Sequence, residues 1–580
     1  MSDNVETTNA RRWLALLVAL WAGLTLVRWL AALPITEPRI FQDELLHWQM
    51  AKEIARHQPF LLFGRSVDTP AVLYPAILSI VFQATDARMA FDLARGVNAA
   101  LLCAVVFPAY GLAREFAPPA LALATAALAA LVPGGVFSAL IMEESLYYPL
   151  FVLSCWLCFR LLTKGTAREA LACSAAVCVT YFAKPLVVPL IFAYTFAVAV
   201  WFVLESRRGD GVRERLGQLG LRLTPILALA LALYLRHAIV AAGTAPQSAS
   251  ELLLSRTYSG ETSGPLIPDL WPLAKVTIAL LAALALGVGV APLVCLLSIP
   301  TMTARDRRWF VLFVALVVGT YVLAIGRHTL VMNPTLRPHE RYLFPVAPLL
   351  LTLFLTNTSI AIRRPAAALV AATIVLTIWP LGPLMLTNVR TIDAPSLTTP
   401  FILARDTLGN RPATAVLMGL AALLVTWGAT RARVQVLACF AWLAALPILL
   451  NFVWYRDLYS QTYLKATSRF ITRLERSLGP TQRVAVVVQD GDDVIQRLVL
   501  YQEFWLDDRS TGYWAGEGSA PWYTESSGPA PDVVRRTGAS YLIGKPGLQS
   551  ACPTSRIAAG LDPGPPLSAV VLDVTGTDCR

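Results

Sequence analysis

Apolar stretches about as long as a bilayer is thick follow one another from residue 13 to residue 454, with only short polar breaks between them. No water-soluble fold can hide that much apolar surface. In lipid the backbone must satisfy its own hydrogen bonds, which leaves helices or a closed barrel. A barrel strand crosses in about 9–11 residues and a helix in about 20, and these runs are of helical length. The spans expected are 13–33, 97–113, 118–137, 146–163, 169–183, 186–204, 222–240, 272–299, 309–326, 342–360, 365–386, 413–430 and 434–454. Of the 580 residues only 15% are charged and 56% are hydrophobic, against about 25% charged in soluble proteins. The first run lacks a small-residue cleavage site and continues into an acidic motif, so it reads as a retained helix, not a signal peptide.

The net charge of +11 does not point to nucleic acid. Its lysines and arginines sit in short clusters between the apolar runs, and no basic stripe with interleaved aromatics occurs. With Arg11 and Arg12 in the cytoplasm, the alternate connections should be basic under the positive-inside rule. They carry Arg114, then Arg160, Lys164 and Arg168, then Arg207 to Arg222, then Arg305 to Arg308, then Arg363 and Arg364, then Arg431 and Arg433. An odd number of spans puts everything after residue 454 outside the cell. The expected protein is therefore a multi-pass protein of the cytoplasmic (inner) membrane, with its N-terminus cytoplasmic. Residues 1–454 form the helical domain and residues 455–580 a small extracytoplasmic α/β domain.

In the first outer connection, 44–57 and 72–82 are apolar on one side and too short to span, so they should lie in the interface. The tail changes character, with strand-like runs at 484–488, 540–543 and 569–574 and helical candidates at 468–477 and 494–504. No phosphate-binding glycine motif and no internal repeat occurs. Seven of the nine cysteines lie inside apolar runs. The spacing of Cys155 and Cys158 has no His or acidic partner, so these read as small apolar residues on a helix. Cys552 and Cys579, alone in the tail, could form a disulfide in an export compartment.

Ionisable groups at an apolar boundary are costly unless they pair or line a wet cavity, so they mark function by default. Here they fall on the outer side. Asp43 and Glu44 follow the first helix; they could bind a sugar hydroxyl, act as general base, hold a divalent cation, or simply open a helix. Asp68 stands in an Asp-Thr-Pro turn with Arg65 nearby. Glu143 and Glu144 sit in a short connection held against the boundary. Lys184, against the topological bias, is either a snorkelling lysine or an anion ligand. Arg337, His339, Glu340 and Arg341 precede the tenth span, where guanidiniums suit a phosphate or anchor the helix. His339 has no spacing partner for zinc. Carboxylates and cations together suit a substrate with a charged head and hydroxyls, such as a lipid-linked phosphosugar.

In order along residues 10–360, Asp43-Glu44, DTPAVLYP, MAFDLARGVNAALL, EESLYYPL, YFAKP and HERYLFPVAPLL resemble the GT-C superfamily of polyprenyl-phosphate-dependent glycosyltransferases. The similarity is to its protein O-mannosyltransferase and lipid A aminoarabinose transferase branch. The resemblance implies a fold of many helices, with two interfacial helices in the first outer loop, and inverting transfer of a sugar from a polyprenyl-phosphate carrier to a lipid, glycan or protein acceptor; with the apolar runs this makes a polytopic GT-C-like fold of about 13 spans. It makes Asp43, with Glu44, catalytic and places Glu143 or Glu144 against donor or acceptor. Lys184 and Arg341, with Arg337 and Arg65, would hold the carrier phosphate; Asp68, His339 and Glu340 are further substrate contacts. No cofactor is implied firmly; a divalent cation would draw on Asp43, Asp68 and Glu143. Where the aminoarabinose branch carries Glu-Lys-Pro-Pro, this chain has Val67-Asp68-Thr69-Pro70, without the lysine. The alternatives from other classes are a transporter or flippase, or a ligase or polymerase acting on lipid-linked glycans.

Overall fold

A computed structural model describes mainly residues 2–35, 42–57, 69–83, 87–206, 212–240, 270–288, 305–332 and 339–356. In the tail it describes 462–478, 482–488, 510–514, 526–527, 539–544, 555–558 and 569–575, and a few isolated positions elsewhere. The expected spans 365–386, 413–430 and 434–454, the tail helix expected at 494–504, and Cys552 and Cys579 lie outside the described residues, apart from two isolated helical positions in the last span.

The helices are α1 (Ser2–Ala32), α2 (Gln42–Ala55), α3 (Leu73–Leu78), α4 (Ala87–Cys103), α5 (Val106–Arg114), α6 (Pro119–Ala130) and α7 (Glu144–Lys164). They continue as α8 (Ala167–Ala183), α9 (Val188–Ser206), α10 (Val212–Val240), α11 (Leu270–Val288), α12 (Arg305–Met332), α13 (Ala347–Thr356) and, in the tail, α14 (Thr462–Ser477). Among the described residues six helices are long and apolar enough to cross a membrane, or seven if the bent pair at α6 is one span. Their outward sides carry Leu14, Val18, Leu26, Val27, Phe192, Phe196, Leu227 and Leu231 in exposed positions. A water-facing surface does not collect so much contiguous apolar area; this is a multi-pass membrane protein.

Several helices differ from expectation at their ends. α4 starts at Ala87, ten residues before the expected span, because the charges in that turn are neutralised internally. Fully buried Arg95 donates to the Ala32 carbonyl at 2.6 Å and to Ile35 O, pairs with Asp92, and lies 4.5 Å from the centre of the Phe91 ring. It thereby also caps the C-terminus of α1, where a cation suits the helix dipole. The expected span 118–137 is broken: α6 ends at Ala130 and a 3-10 turn, Pro133–Ala139, leaves it at 57°. Pro133 cannot continue the ladder, and Gly134 and Gly135 admit the Phe344 ring on one side and the Arg28 guanidinium on the other.

α7 and α8 form a tight hairpin. Gly165 closes α7 in the left-handed region at φ 62°, and Thr166 caps α8 by accepting from the Glu169 N–H at 3.3 Å. At this end Arg160 reaches Glu115 at 3.0 Å and Glu169 at 2.8 Å. Arg222 donates to the Leu162 carbonyl and stands 3.8 Å from the centre of the Trp201 ring. The opposite helix ends carry the candidate site. The two segments expected at the interface are helical: α2, and α3 continued by a 3-10 turn at Ser79–Phe82. Trp48 of α2 packs edge-on to Phe82, ring centres 4.5 Å apart.

The strands are β1 (Leu61–Leu62), β2 (Arg65–Ser66), β3 (Val484–Val488), β4 (Ser510–Trp514), β5 (Ser526–Ser527), β6 (Tyr541–Gly544), β7 (Arg556–Ile557) and β8 (Val570–Asp573). β1 and β2 make an antiparallel pair in the first outer connection. The tail sheet has the order β5-β4-β3-β6-β8-β7, parallel from β5 to β6 and antiparallel through β8 and β7. β3 is central, and a continuous run of valines is what a strand covered on both faces requires. β4, with Gly512 inside it, gives no strand signal by composition; parallel pairing of Ser510 to Trp514 with Val484 to Val488 makes it one. The tail touches the bundle through Arg88, at the start of α4, which donates to the Thr472 hydroxyl of α14 at 2.6 Å.

Candidate active site

Adjacent carboxylates on a helix point in different directions, and α2 uses this. Asp43 keeps a third of its side chain exposed. Glu44 is fully buried and accepts the Ile141 N–H at 3.1 Å. That bond ties α2 to the connection after α6, ninety-seven positions along the chain. It brings α2 against the segment that leads into Glu143 and Glu144.

Glu143 immediately precedes α7, without a side-chain capping bond, and Glu144 is its first residue; both are buried. Lys184, at the end of α8, lies between them, its Nζ 2.8 Å from Glu143 Oε1 and 2.8 Å from Glu144 Oε1. Burial by itself would raise the Glu143 carboxyl, but the Lys184 ammonium and His47 outweigh it and hold the carboxyl down at about 2. Burial would likewise lower Lys184, and the two carboxylates reverse this, holding it well above the ordinary lysine range. Both groups are charged across all physiological pH.

Arg341 completes the cluster. It sits in a 3-10 turn, Glu340–Tyr342, after α12. Its Nη2 lies 3.5 Å from Asp43 Oδ2 and donates to the Tyr342 hydroxyl at 2.6 Å. Burial opposes its charge; Tyr342 and Asp43 restore it and shift it upward. The Tyr342 ring has both cations beside it, Lys184 Nζ at 5.0 Å and Arg341 Cζ at 4.7 Å from its centre. The His339 ring stacks on Tyr342 at 5.9 Å and its Nδ1 is 3.3 Å from the Thr329 hydroxyl.

Asp43, Glu143, Glu144, Lys184 and Arg341 thus converge from four separate parts of the chain. Glu340, though adjacent to Arg341, turns away: it is buried and accepts the Ser396 N–H at 2.9 Å. Asp68 and Arg337 lie outside the described residues; Arg65 is in β2, facing Leu62 in register, and its side chain also lies outside them. Among the described residues no group of three or more His, Cys, Asp and Glu is arranged to hold a metal. Of the carboxylates expected to hold a divalent cation, Asp43 and Glu143 are paired with Arg341 and Lys184, and Asp68 lies outside the described residues.

His47 was not singled out by sequence reasoning. It follows Asp43 by four residues, one helical turn on the same face, and that spacing was the available signal. Its Nε2 is 3.1 Å from Glu143 Oε2. Tyr74 packs its ring edge against His47 and donates to Asn98 Oδ1 at 2.9 Å; Asn98 donates to the Leu140 carbonyl at 2.6 Å. This buried polar chain holds the Leu140–Glu144 segment from below.

A multi-span helical bundle with short helices in its first outer connection, acids and cations gathered at one end, and an appended α/β tail is a GT-C-like fold. Solved structures of ArnT from Cupriavidus metallidurans share it over nearly the whole of both chains. The form bound to undecaprenyl phosphate aligns at a TM-score of 0.54 and 13% identity, covering 96% of this chain and 97% of that one. The apo form aligns at 0.53 and 14%, covering 97% and 98%. No family model matches the chain, and no curated protein matches it in sequence.

Proposed function

We propose that this chain is a membrane glycosyltransferase that moves a sugar from a polyprenyl-phosphate carrier to an acceptor hydroxyl at the extracytoplasmic face. The observation that carries the reading is the pairing of Asp43 with the more enclosed Arg341, 3.5 Å apart and both partly accessible, beside the Glu143–Lys184–Glu144 group. A base and a permanent cation side by side are what displacement of a phosphate from an anomeric carbon needs. The undecaprenyl phosphate bound to ArnT gives the carrier its chemical class.

Asp43 accepts the proton of the acceptor hydroxyl as its oxygen attacks the anomeric carbon from the face opposite the carrier. The bond from that carbon to the phosphate oxygen breaks, and its electron pair leaves with the phosphate. Arg341 donates to the phosphate oxygens as their charge grows. Lys184 is already taken by two glutamates, so it fixes those carboxylates in place and leaves the phosphate to Arg341. Inversion at the anomeric carbon follows from the single displacement. The basic helix ends at Arg160 and Arg222 would face the cytoplasm, and the site and tail the other side.

Purified protein in nanodiscs, given a synthetic polyprenyl-phosphate sugar and a mixture of lipid, glycan and peptide acceptors, should release free polyprenyl phosphate and form an inverted glycoside. Asp43→Asn should remove transfer while carrier binding persists. Full turnover in Asp43→Asn, or carrier translocation without bond cleavage, would defeat the proposal, the latter in favour of a flippase.

A further inference from the structure

The two glutamates of the site are held unequally. Glu144 meets Lys184 through Oε1, and its Oε2 is buried without a hydrogen-bond partner among the described residues. Glu143 is contacted through both oxygens, Oε1 by Lys184 at 2.8 Å and Oε2 by His47 at 3.1 Å. The His47 contact has ion-pair distance but lies off the line of a hydrogen bond, and the other ring nitrogen, Nδ1, is buried with no partner among the described residues. His47 is fully buried, with Tyr74 edge-on to its ring. A histidine serving only to fill volume would not be aimed at a carboxylate, and a buried imidazole normally has its nitrogens satisfied.

Charge gives the reason. Asp43, Glu143 and Glu144 set three carboxylates against the two cations Lys184 and Arg341. One ammonium lies 2.8 Å from an oxygen of each buried carboxylate, so by itself it compensates neither in full. A second polar partner on one of them resolves the competition.

We infer that His47 is a positioning residue of this site: it holds Glu143 ionised and fixed against Lys184. His47 touches no reacting atom; it acts through Glu143, and it ties the geometry of α2, which carries Asp43, to that of α7. Its consequence for turnover rests on the transfer reaction proposed above, but its effect on Glu143 does not.

The test uses the full-length protein and a hydrophobic carbodiimide, which modifies buried carboxyls only in their protonated form. Labelling of Glu143 is read by peptide mass spectrometry at pH 6, with no substrate present. His47→Phe keeps the ring and its packing on Tyr74 but removes the polar contact. His47→Gln restores a nitrogen at about the reach of Nε2. Glu143 in His47→Phe should label about tenfold faster than wild type or more, the size expected when a carboxylate loses one close polar partner and its protonation shifts by about one unit. In His47→Gln it should stay within about threefold of wild type, and transfer should follow the same order through kcat, with carrier KM little changed. Wild-type labelling in His47→Phe overturns the inference. So does a tenfold rise in His47→Gln, which still decides the matter if His47→Phe does not fold. If labelling behaves as expected and no form of the protein transfers sugar, it is the transfer reading that fails.

Discussion

Replacing Lys184 by methionine removes the cation that lies between the buried carboxylates Glu143 and Glu144. Its Nζ contacts Glu143 and Glu144 at 2.8 Å each, and all three side chains are less than a tenth exposed. Breaking a buried ion pair from one side costs about 3–5 kcal/mol, because the remaining charge stays behind without its partner. Here two carboxylates are left, so the upper part of that range applies near neutral pH. The cost should fall on acidification. In the wild type, Glu143 is depressed to about 2 from its ordinary 4.5. Its contribution is therefore fully present above about 4.5 and is lost as the pH falls toward 2. Without Lys184 the two glutamates repel and take up a proton more readily, so the folded state of Lys184→Met should gain stability as the pH drops from 8 to 5. The assay is denaturant or thermal unfolding in mild detergent, compared across that range for wild type, Lys184→Met and the triple variant Lys184→Met/Glu143→Gln/Glu144→Gln. The triple variant should recover most of the loss, since it removes the uncompensated charges. A Lys184→Met protein as stable as wild type at pH 8, or a triple variant no better than the single one, would refute the reasoning.

Three further outcomes follow from contacts at the same end of the bundle. Glu44→Ala should destabilise the protein by about 1–3 kcal/mol, through the Ile141 N–H left bare, while Glu44→Gln, which still accepts, should lose about half as much in the same unfolding assay. Gly134→Ala drives a methyl group into the Phe344 ring and Gly135→Ala drives one into the Arg28 guanidinium; the first should cost about 1–3 kcal/mol by overpacking, the second less, since a guanidinium can move aside, and thermal midpoints will rank them. Arg341→Lys should raise the carrier KM about tenfold, the value of one charge-assisted hydrogen bond, with folding unchanged by size-exclusion profile.

Much of this protein is determined by sequence alone. The length and apolarity of runs such as 146–163 and 186–204 force helices whatever the neighbours are, because lipid offers no partner for a bare backbone group. The central strand 484–488 is equally legible, since five residues of valine and alanine between polar connections suit only a doubly covered strand. That Asp43, Glu143, Glu144, Lys184 and Arg341 deserve notice could also be read from their position beside apolar runs, where charge is costly.

Their roles could not. Asp43 and Glu44 are neighbours of the same chemistry, and only the packing of α2 against Ile141 turns one toward solvent and the other into the interior. Lys184 reads as a lone cation until α7 and α8 bring two carboxylates to it. Glu340 beside Arg341 looks like part of the same site, and the fold sends it to Ser396 instead. His47 carries no signal beyond one helical turn from Asp43, because its partner lies ninety-six positions away. Local sequence sets which segments are helices and which residues are expensive; which charges meet is decided by long-range contacts between helices, and a charge's protonation and chemistry follow from its partners.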